Sequence, residues 1–389
     1  MKHDESFTVF NLIHWPQPCP RGADVALAWC LSHFGGVEES GLISHLHGLL
    51  LNNVRAFYLI MPNSYLRRDC TSKYSLPMDE VKFPLFHRTR AISQMCNISS
   101  YTTELLEINS KEPLMQILFI PGNPGIVSFY RDFVEALYEN LEGHASITAI
   151  GHISQGGKDL ERRKMFSLQE QISHKVDYIE QELRTCQLPI VLVGHSIGSY
   201  ICLEIFKRLQ HQVKYFIGLY PFLTLNKESQ TQALIGKIAG SAIISAAVSS
   251  FASLVGSLPT RVSRVIVRRF LGPSWSTTAI DATCKHLLQY HTMRNVLFMA
   301  MTEFRKLSED PDWEFMKRKQ SQIALLFGVD DHWGPLSVFE EVSTRVPGIA
   351  LSIEREGHTH GCCCTEAGSI WVAHHVSNLI KNQIQIRNL

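Results

Sequence analysis

Short runs of consecutive hydrophobic residues, separated by turns and amphipathic stretches, mark the chain from about residue 96 onward. They predict buried β-strands at residues 115–120, 146–150, 190–193, 213–219, 322–327 and 349–353, with an edge strand at 101–108. Helix-compatible segments lie between them, and the best marked follows Ser167, where Glu170 completes a capping box. Strands that alternate with helices are typical of an α/β fold with a mostly parallel central sheet flanked by helices.

Residues 221–320 interrupt this alternation and predict a helical cap insertion between the two halves of the sheet. No charged residue occurs from Ile238 to Leu258, and several arginines follow that stretch. Its length reaches the ~20 residues of a membrane span, but repeated serines make it only mildly hydrophobic. A buried or lid helix and an interfacial helix or hairpin lying in a lipid monolayer are both compatible with the pattern, and a true span is the least favoured interpretation.

Amino-acid composition and net charge argue against several kinds of partner, compartment and site. The formal net charge is +1 and no basic block occurs, which argues against a nucleic-acid partner. The ten cysteines include three consecutive ones, Cys362 to Cys364, which suit a reducing compartment better than a disulfide framework. The N-terminus lacks the apolar region of a secretory signal. No Cys/His spacing is typical of a zinc site, so no metal is expected.

The segment around Ser196 carries the strongest chemical signal. Four apolar residues run directly into Gly194-His195-Ser196-Ile197-Gly198, and a helix-compatible segment follows. A strand, a tight turn and a helix are the context of a nucleophile elbow, in which the serine lies at the tip of a strained turn. A Cβ atom at position 194 or 198 would crowd the neighbouring strand or helix. Ser196 is therefore predicted to be a catalytic nucleophile.

A serine nucleophile needs a base, and the base needs an acid that orients it. In α/β-hydrolases both follow the nucleophile in the chain, each after a late strand. Asp330 and Asp331 follow the second-last predicted strand, and the spacing favours Asp331. His358 and His360 follow the last one, and His360 is favoured because a small residue and the final helix come directly after it. Asp330 and His358 stay open as alternatives.

Two backbone N–H groups are predicted to form the oxyanion hole. One belongs to Ile197, directly after the nucleophile, and the other to the loop after the first buried strand. In that loop, Pro124 has no N–H, whereas Asn123 has one and Gly122 allows close approach of the backbone. Water would cleave the resulting acyl-enzyme, so the mechanism needs no cofactor.

Together, Pro121-Gly-Asn-Pro-Gly125, Phe129-Tyr130 and the elbow motif resemble the lipid droplet-associated hydrolases over roughly residues 96–389, with a plant member expected. The resemblance implies an α/β-hydrolase fold and an ester hydrolase at the cytosolic face of lipid droplets and the endoplasmic reticulum. It carries the family's nucleophile, acid and histidine onto Ser196, Asp331 and His360. It also matches the droplet-targeting segment to residues 233–258. Cys362 stands where the family has an aromatic residue, which leaves His358 open.

Family members begin near Met95, so residues 1–94 are expected to be an irregular or disordered N-terminal extension or a gene-model artefact. The hydrolase domain would then cover residues 95–389, with the cap or lipid-association insertion at about 221–320. Peptides from before Met95 in the native protein would contradict the artefact.

Three functions compete. The leading hypothesis is a serine hydrolase, a carboxylic ester hydrolase acting on a lipid or sterol ester at the droplet monolayer or membrane surface. The second is a soluble carboxylesterase or thioesterase whose apolar insertion is only a lid. The third is a droplet-associated membrane-organising protein with weak or vestigial hydrolase activity. Fold alone does not separate them.

Overall fold

A single eight-stranded sheet runs through the computed structural model, which describes residues 89–271 and 274–384. Its strands are β1 (Ile92–Ile98), β2 (Tyr101–Ile108), β3 (Met115–Ile120), β4 (Ala145–Ile150), β5 (Ile190–His195), β6 (Val213–Leu219), β7 (Ile323–Gly328) and β8 (Ala350–Glu354). Their spatial order is β1-β2-β4-β3-β5-β6-β7-β8. β1 and β2 are antiparallel to their neighbours, and the six others run parallel. The predicted α/β-hydrolase sheet is thus confirmed.

The α-helices of the described residues flank this sheet or lie in the insertion. They are α1 (Arg131–Asn140), α2 (Leu168–Glu182), α3 (Ile197–Arg208), α4 (Gln230–Gly240), α5 (Ala242–Gly256), α6 (Thr260–Leu271), α7 (Thr277–Ala282), α8 (Tyr290–Lys306), α9 (Trp313–Arg318), α10 (Leu336–Arg345) and α11 (Glu366–Gln383). α2 starts as predicted, because the Ser167 hydroxyl accepts from the Glu170 N–H and the Glu170 carboxylate accepts from the Ser167 N–H.

The hydrophobic strands are buried on both faces. Successive residues of β3 belong to different core clusters, with Phe119 packed on the α1 and α11 side and Leu118 on the α2 and α3 side. Two covered faces explain why these strands appear in the sequence as continuous apolar runs rather than as alternating patterns.

The edge of the sheet differs from the prediction. β2 was expected at the edge, but β1 pairs with its outer side along its whole length. β1 begins at Ile92, three residues before the expected start of the domain at 95. Ile92 and Met95 are 68% and 55% exposed, so the strand has no buried stripe that a hydrophobic pattern would show. The remainder of the predicted extension, residues 1–88, lies outside the described residues.

The predicted insertion holds α4 to α9 and connects β6 to β7. α4 and α5 meet at an angle of 95°. Within residues 89–271 and 274–384, no single helix is long and apolar enough to cross a membrane, although this bent pair has the required length and composition when taken together. α8 packs against both helices and also against α2, one of the helices that flank the sheet.

Candidate active site

Ser196 lies at the tip of the turn between β5 and α3. Its backbone has φ 55° and ψ −124°, a strained conformation for a residue with a side chain. Its N–H donates to the carbonyl of Leu219 over 2.9 Å, which ties the turn to β6. A Cβ atom at Gly194 would lie 2.4 Å from the Gly198 carbonyl oxygen, and one at Gly198 would lie 2.2 Å from the Ile120 oxygen. The turn therefore requires both glycines.

Asp331 and His360 form a hydrogen-bonded pair next to this turn. The Nδ1 atom of His360 lies 2.8 Å from Oδ2 of Asp331, and the Trp333 N–H donates to Oδ1 over 2.8 Å. Burial by itself would raise the pKa of the carboxyl. The opposing effects of the His360 charge and of these hydrogen bonds outweigh burial and hold the pKa of Asp331 below its ordinary value. Asp331 is therefore ionised and able to orient the imidazole.

The two alternatives from the sequence lie elsewhere. Asp330 is exposed to solvent at the end of β7. The ring of His358 packs against Trp371, with 5.7 Å between ring centroids, on the final helix. Of the two candidate acids and the two candidate histidines, Asp331 and His360 are the ones that the structure brings together.

Ser196 and His360 line the same cavity at the carboxyl ends of the strands, together with Asn123 of the loop after β3. Among the described residues, no hydrogen bond joins the Ser196 hydroxyl to His360. The cavity's apolar lining consists of Pro124, Phe129, Tyr130, Phe222, Ile235, Trp275, Val296, Leu297, Ala300, Trp333, Cys363 and Cys364. Its volume is about 70 Å³, which is room for about five water molecules.

The two predicted oxyanion donors belong to two different turns. Ile197 belongs to the turn that carries Ser196, and Asn123 to the loop after β3. Ile197 is the first residue of α3, so its N–H has no acceptor within the helix. In the described part of the chain, the backbone N–H of Asn123 likewise has no acceptor. The neighbouring N–H of Gly122 is already engaged, because it donates to the Tyr130 hydroxyl over 3.1 Å. The N–H groups of Asn123 and Ile197 are thus both available as donors.

His195 was not predicted to have a role, yet it links the elbow to the histidine loop. The Nε2 atom lies 2.9 Å from the carbonyl oxygen of His360, and Nδ1 lies 2.8 Å from the Tyr130 hydroxyl. Burial, and then the nearby His360, lower the pKa of His195 to about 3, so the ring is neutral. Because a carbonyl only accepts, Nε2 carries the proton and Tyr130 donates to Nδ1.

Glu303 of α8 is the second group that the sequence did not indicate. The side chain is only 3% exposed and lines the cavity. Its Oε1 atom accepts from Asn123 Nδ2 over 3.0 Å, and the same amide donates to the Val296 carbonyl over 2.9 Å. Burial raises the pKa of Glu303 to about 8. The position of Glu303 in an amphipathic helix gave no signal of its burial, because its partner Asn123 lies 180 residues away in the chain.

Known protein sequences are similar to this chain. The sequence model of the family described as lipid-droplet associated hydrolase matches residues 113–363. The chain is 27% identical over 257 residues to a lipid droplet-associated hydrolase of Dictyostelium discoideum, which covers 63% of this chain and 81% of that protein. It is 23% identical over 276 residues to the human lipid droplet-associated hydrolase, covering 66% and 82%.

Solved structures share the fold. A haloalkane dehalogenase from Bradyrhizobium elkani superposes with a TM-score of 0.56 at 12% identity, covering 76% of this chain and 99% of that one. A soluble variant of monoglyceride lipase from Saccharomyces cerevisiae superposes with a TM-score of 0.54 at 13% identity, covering 76% and 97%. At such low identity these similarities establish the architecture alone.

Proposed function

Because this chain belongs to the lipid droplet-associated hydrolase family, a family of lipid hydrolases, we propose that it is a serine-dependent carboxylic ester hydrolase acting on a lipid or sterol ester at the droplet surface. The observation that carries this proposal is the hydrogen bond of 2.8 Å between His360 Nδ1 and Asp331 Oδ2, beside the cavity that Ser196 and His360 share. A buried acid that orients an imidazole next to a strained serine is the arrangement that activates a hydroxyl nucleophile.

In the proposed mechanism, Ser196 Oγ attacks the ester carbonyl while His360 Nε2 takes its proton. The negative charge that develops on the carbonyl oxygen is held by the N–H groups of Asn123 and Ile197. Collapse of the tetrahedral intermediate expels the alcohol, which receives the proton from His360. Water, deprotonated by the same imidazole, then attacks the acyl-enzyme and releases the acid. Asp331 keeps its charge throughout and stabilises the imidazolium.

The apolar cavity supports a lipid substrate. Carbon side chains dominate its lining, and polar groups are confined to the reacting end and to Glu303. Its volume of about 70 Å³ is small beside the roughly 300 Å³ or more of a typical ligand pocket.

The outer face of the cap supports a lipid surface as the partner. The described residues of α4 to α6 and the turns between them carry seven exposed apolar side chains, which we propose act together and call the cap patch: Leu234, Ile243, Ile244, Leu254, Leu258, Val262 and Val265. Ile243 is 84% exposed and Val265 is 67% exposed, which is costly in water but favourable in a monolayer. Arg268 and Arg269 are exposed on α6 and would reach anionic headgroups. We assign this patch to the droplet monolayer or to the cytosolic face of the endoplasmic reticulum.

Labelling with a fluorophosphonate probe tests the catalytic part of the proposal. The wild-type protein should be labelled, Ser196→Ala should not, and the exposed-serine control Ser308→Ala should be labelled like the wild type. Absence of labelling in a folded wild-type protein would contradict the proposed chemistry and favour a membrane-organising role.

The targeting part needs a separate test. Replacing Ile243 and Leu254 by glutamate should move the protein from floated droplets to the soluble fraction, while hydrolysis of a short, water-soluble ester continues. Ile92→Glu is the control, because Ile92 is 68% exposed, close to the 64% of Leu254, but lies on the edge strand β1. Droplets that retain the doubly substituted protein would refute the assignment of the cap patch.

A further inference from the structure

The proposed mechanism leaves one buried carboxyl in the cavity unused. Among the described residues that line it, Glu303 is the only acidic one. One of its oxygens accepts from the Asn123 amide over 3.0 Å. The other has no hydrogen-bond partner in the described part of the chain, and the side chain, which is only 3% exposed, lines the cavity. That oxygen is therefore available to a polar group that enters the cavity.

The surroundings indicate what could pair with it. No cationic side chain of the described residues is bonded to Glu303, and burial raises its pKa to about 8. The group is therefore mostly a neutral carboxylic acid at pH 7, with one O–H to donate and a free oxygen lone pair to accept. A neutral acid is a poor partner for an ammonium group and a good one for an alcohol, which also both donates and accepts.

The position of Glu303 in the site indicates where that alcohol group would lie. Asn123 belongs to the loop proposed to hold the oxyanion, and its side chain is bonded directly to Glu303. A substrate group that reached the free oxygen of Glu303 would thus lie a few bonds from the ester carbonyl. The other residues that α8 contributes to the cavity are the apolar Val296, Leu297 and Ala300.

We propose that Glu303 binds a free hydroxyl group of the substrate, so that the enzyme selects esters carrying a hydroxyl close to the ester bond. Partial glycerides belong to this class, whereas triacylglycerols and sterol esters have no such hydroxyl. The inference rests on the proposed function and specifies its substrate class.

A pair of isosteric esters tests it. 2-Hydroxyethyl decanoate and n-propyl decanoate differ only in a hydroxyl that replaces a methyl group. The wild-type enzyme should show a kcat/KM at least about tenfold higher for the hydroxyethyl ester, because a site built around a hydrogen bond rejects the analogue that leaves it unpaired. Glu303→Leu should bring the ratio close to one. Glu303→Gln should keep the preference, since an amide also donates and accepts. The exposed control Glu314→Leu should leave the ratio as in the wild type.

Two results would overturn the inference while the proposed function survives. One is a wild-type ratio near one, which needs no variant and so does not depend on how Glu303→Leu folds. The other is an equal loss on both esters in Glu303→Leu, which would mean that Glu303 only holds Asn123 in place. Hydrolysis that persists in Ser196→Ala would overturn the proposed function itself, and the inference with it.

Discussion

Replacing Glu303 by glutamine should change how the stability of the protein depends on pH. Burial raises the pKa of this carboxyl in the folded protein to about 8, from an ordinary value of 4.5. Between these two values the folded state holds a proton that the unfolded state has lost. Stability is therefore highest below pH 4.5, falls as the pH rises toward 8 and levels off above it. The full effect is roughly 5 kcal/mol, and roughly 3 kcal/mol of it falls between pH 6 and pH 9.

Urea unfolding at pH 6, 7, 8 and 9 measures this effect. Glutamine has the size of glutamate and can still accept from the Asn123 amide, but it cannot ionise. The free energy of unfolding of the wild type should fall by roughly 3 kcal/mol more than that of Glu303→Gln over this range. All other titrating groups are the same in both proteins, so their contributions cancel in this difference. Glu314→Gln, at an exposed position, should follow the wild type. Parallel curves for the wild type and Glu303→Gln would refute the reasoning, because the carboxyl would then titrate as it does in water.

Three further predictions concern the catalytic apparatus. Asp331→Asn should lower kcat for ester hydrolysis by about 10⁴-fold, because the imidazole loses its orienting charge. Asp330→Asn should stay near the wild-type rate. Equal effects of the two substitutions would show that the acid is misassigned. Gly198→Ala places a methyl carbon 2.2 Å from a backbone oxygen and should lower the free energy of unfolding by about 3 kcal/mol, with an unchanged urea midpoint as the contrary result. Tyr130→Phe removes the hydroxyl that joins the oxyanion loop to His195; it should lower kcat about tenfold, equivalent to one hydrogen bond of about 1.4 kcal/mol, and a change in KM alone would argue against a positioning role.

Much of the fold could be predicted from the hydrophobic pattern. The central strands are buried on both faces, so each appears as a continuous apolar run whose ends lie within a residue or two of the observed ones. The elbow could be predicted because its strain demands Gly194 and Gly198 at fixed spacing. Asp331 and His360 followed from their positions after the last two strands, since the carboxyl ends of parallel strands meet at one edge of the sheet.

The remaining features depend on distant parts of the chain. β1 lacks a buried stripe because it lies at the edge, so no periodicity distinguishes it from a loop. Glu303 is one charged residue among several in an amphipathic helix, and only its contact with Asn123, 180 residues away, reveals its burial. His195 belongs to the elbow motif as a variable position, and its bond to the His360 carbonyl spans 165 residues. Contacts between residues so far apart in the chain leave no pattern in the local sequence.

A single helix, α4, lies between the cavity and the outer surface at this point. Ile235 lines the cavity, while its neighbour Leu234 is 40% exposed and belongs to the cap patch. A helix is about 10–12 Å across, so a lipid in contact with the patch at Leu234 lies one helix away from the cavity. On the proposed docking, the enzyme need not capture its substrate from water. Its turnover would then follow the mole fraction of ester within the monolayer, and the total capacity for hydrolysis would scale with droplet area. Many small droplets would be consumed faster than a few large ones holding the same mass of lipid.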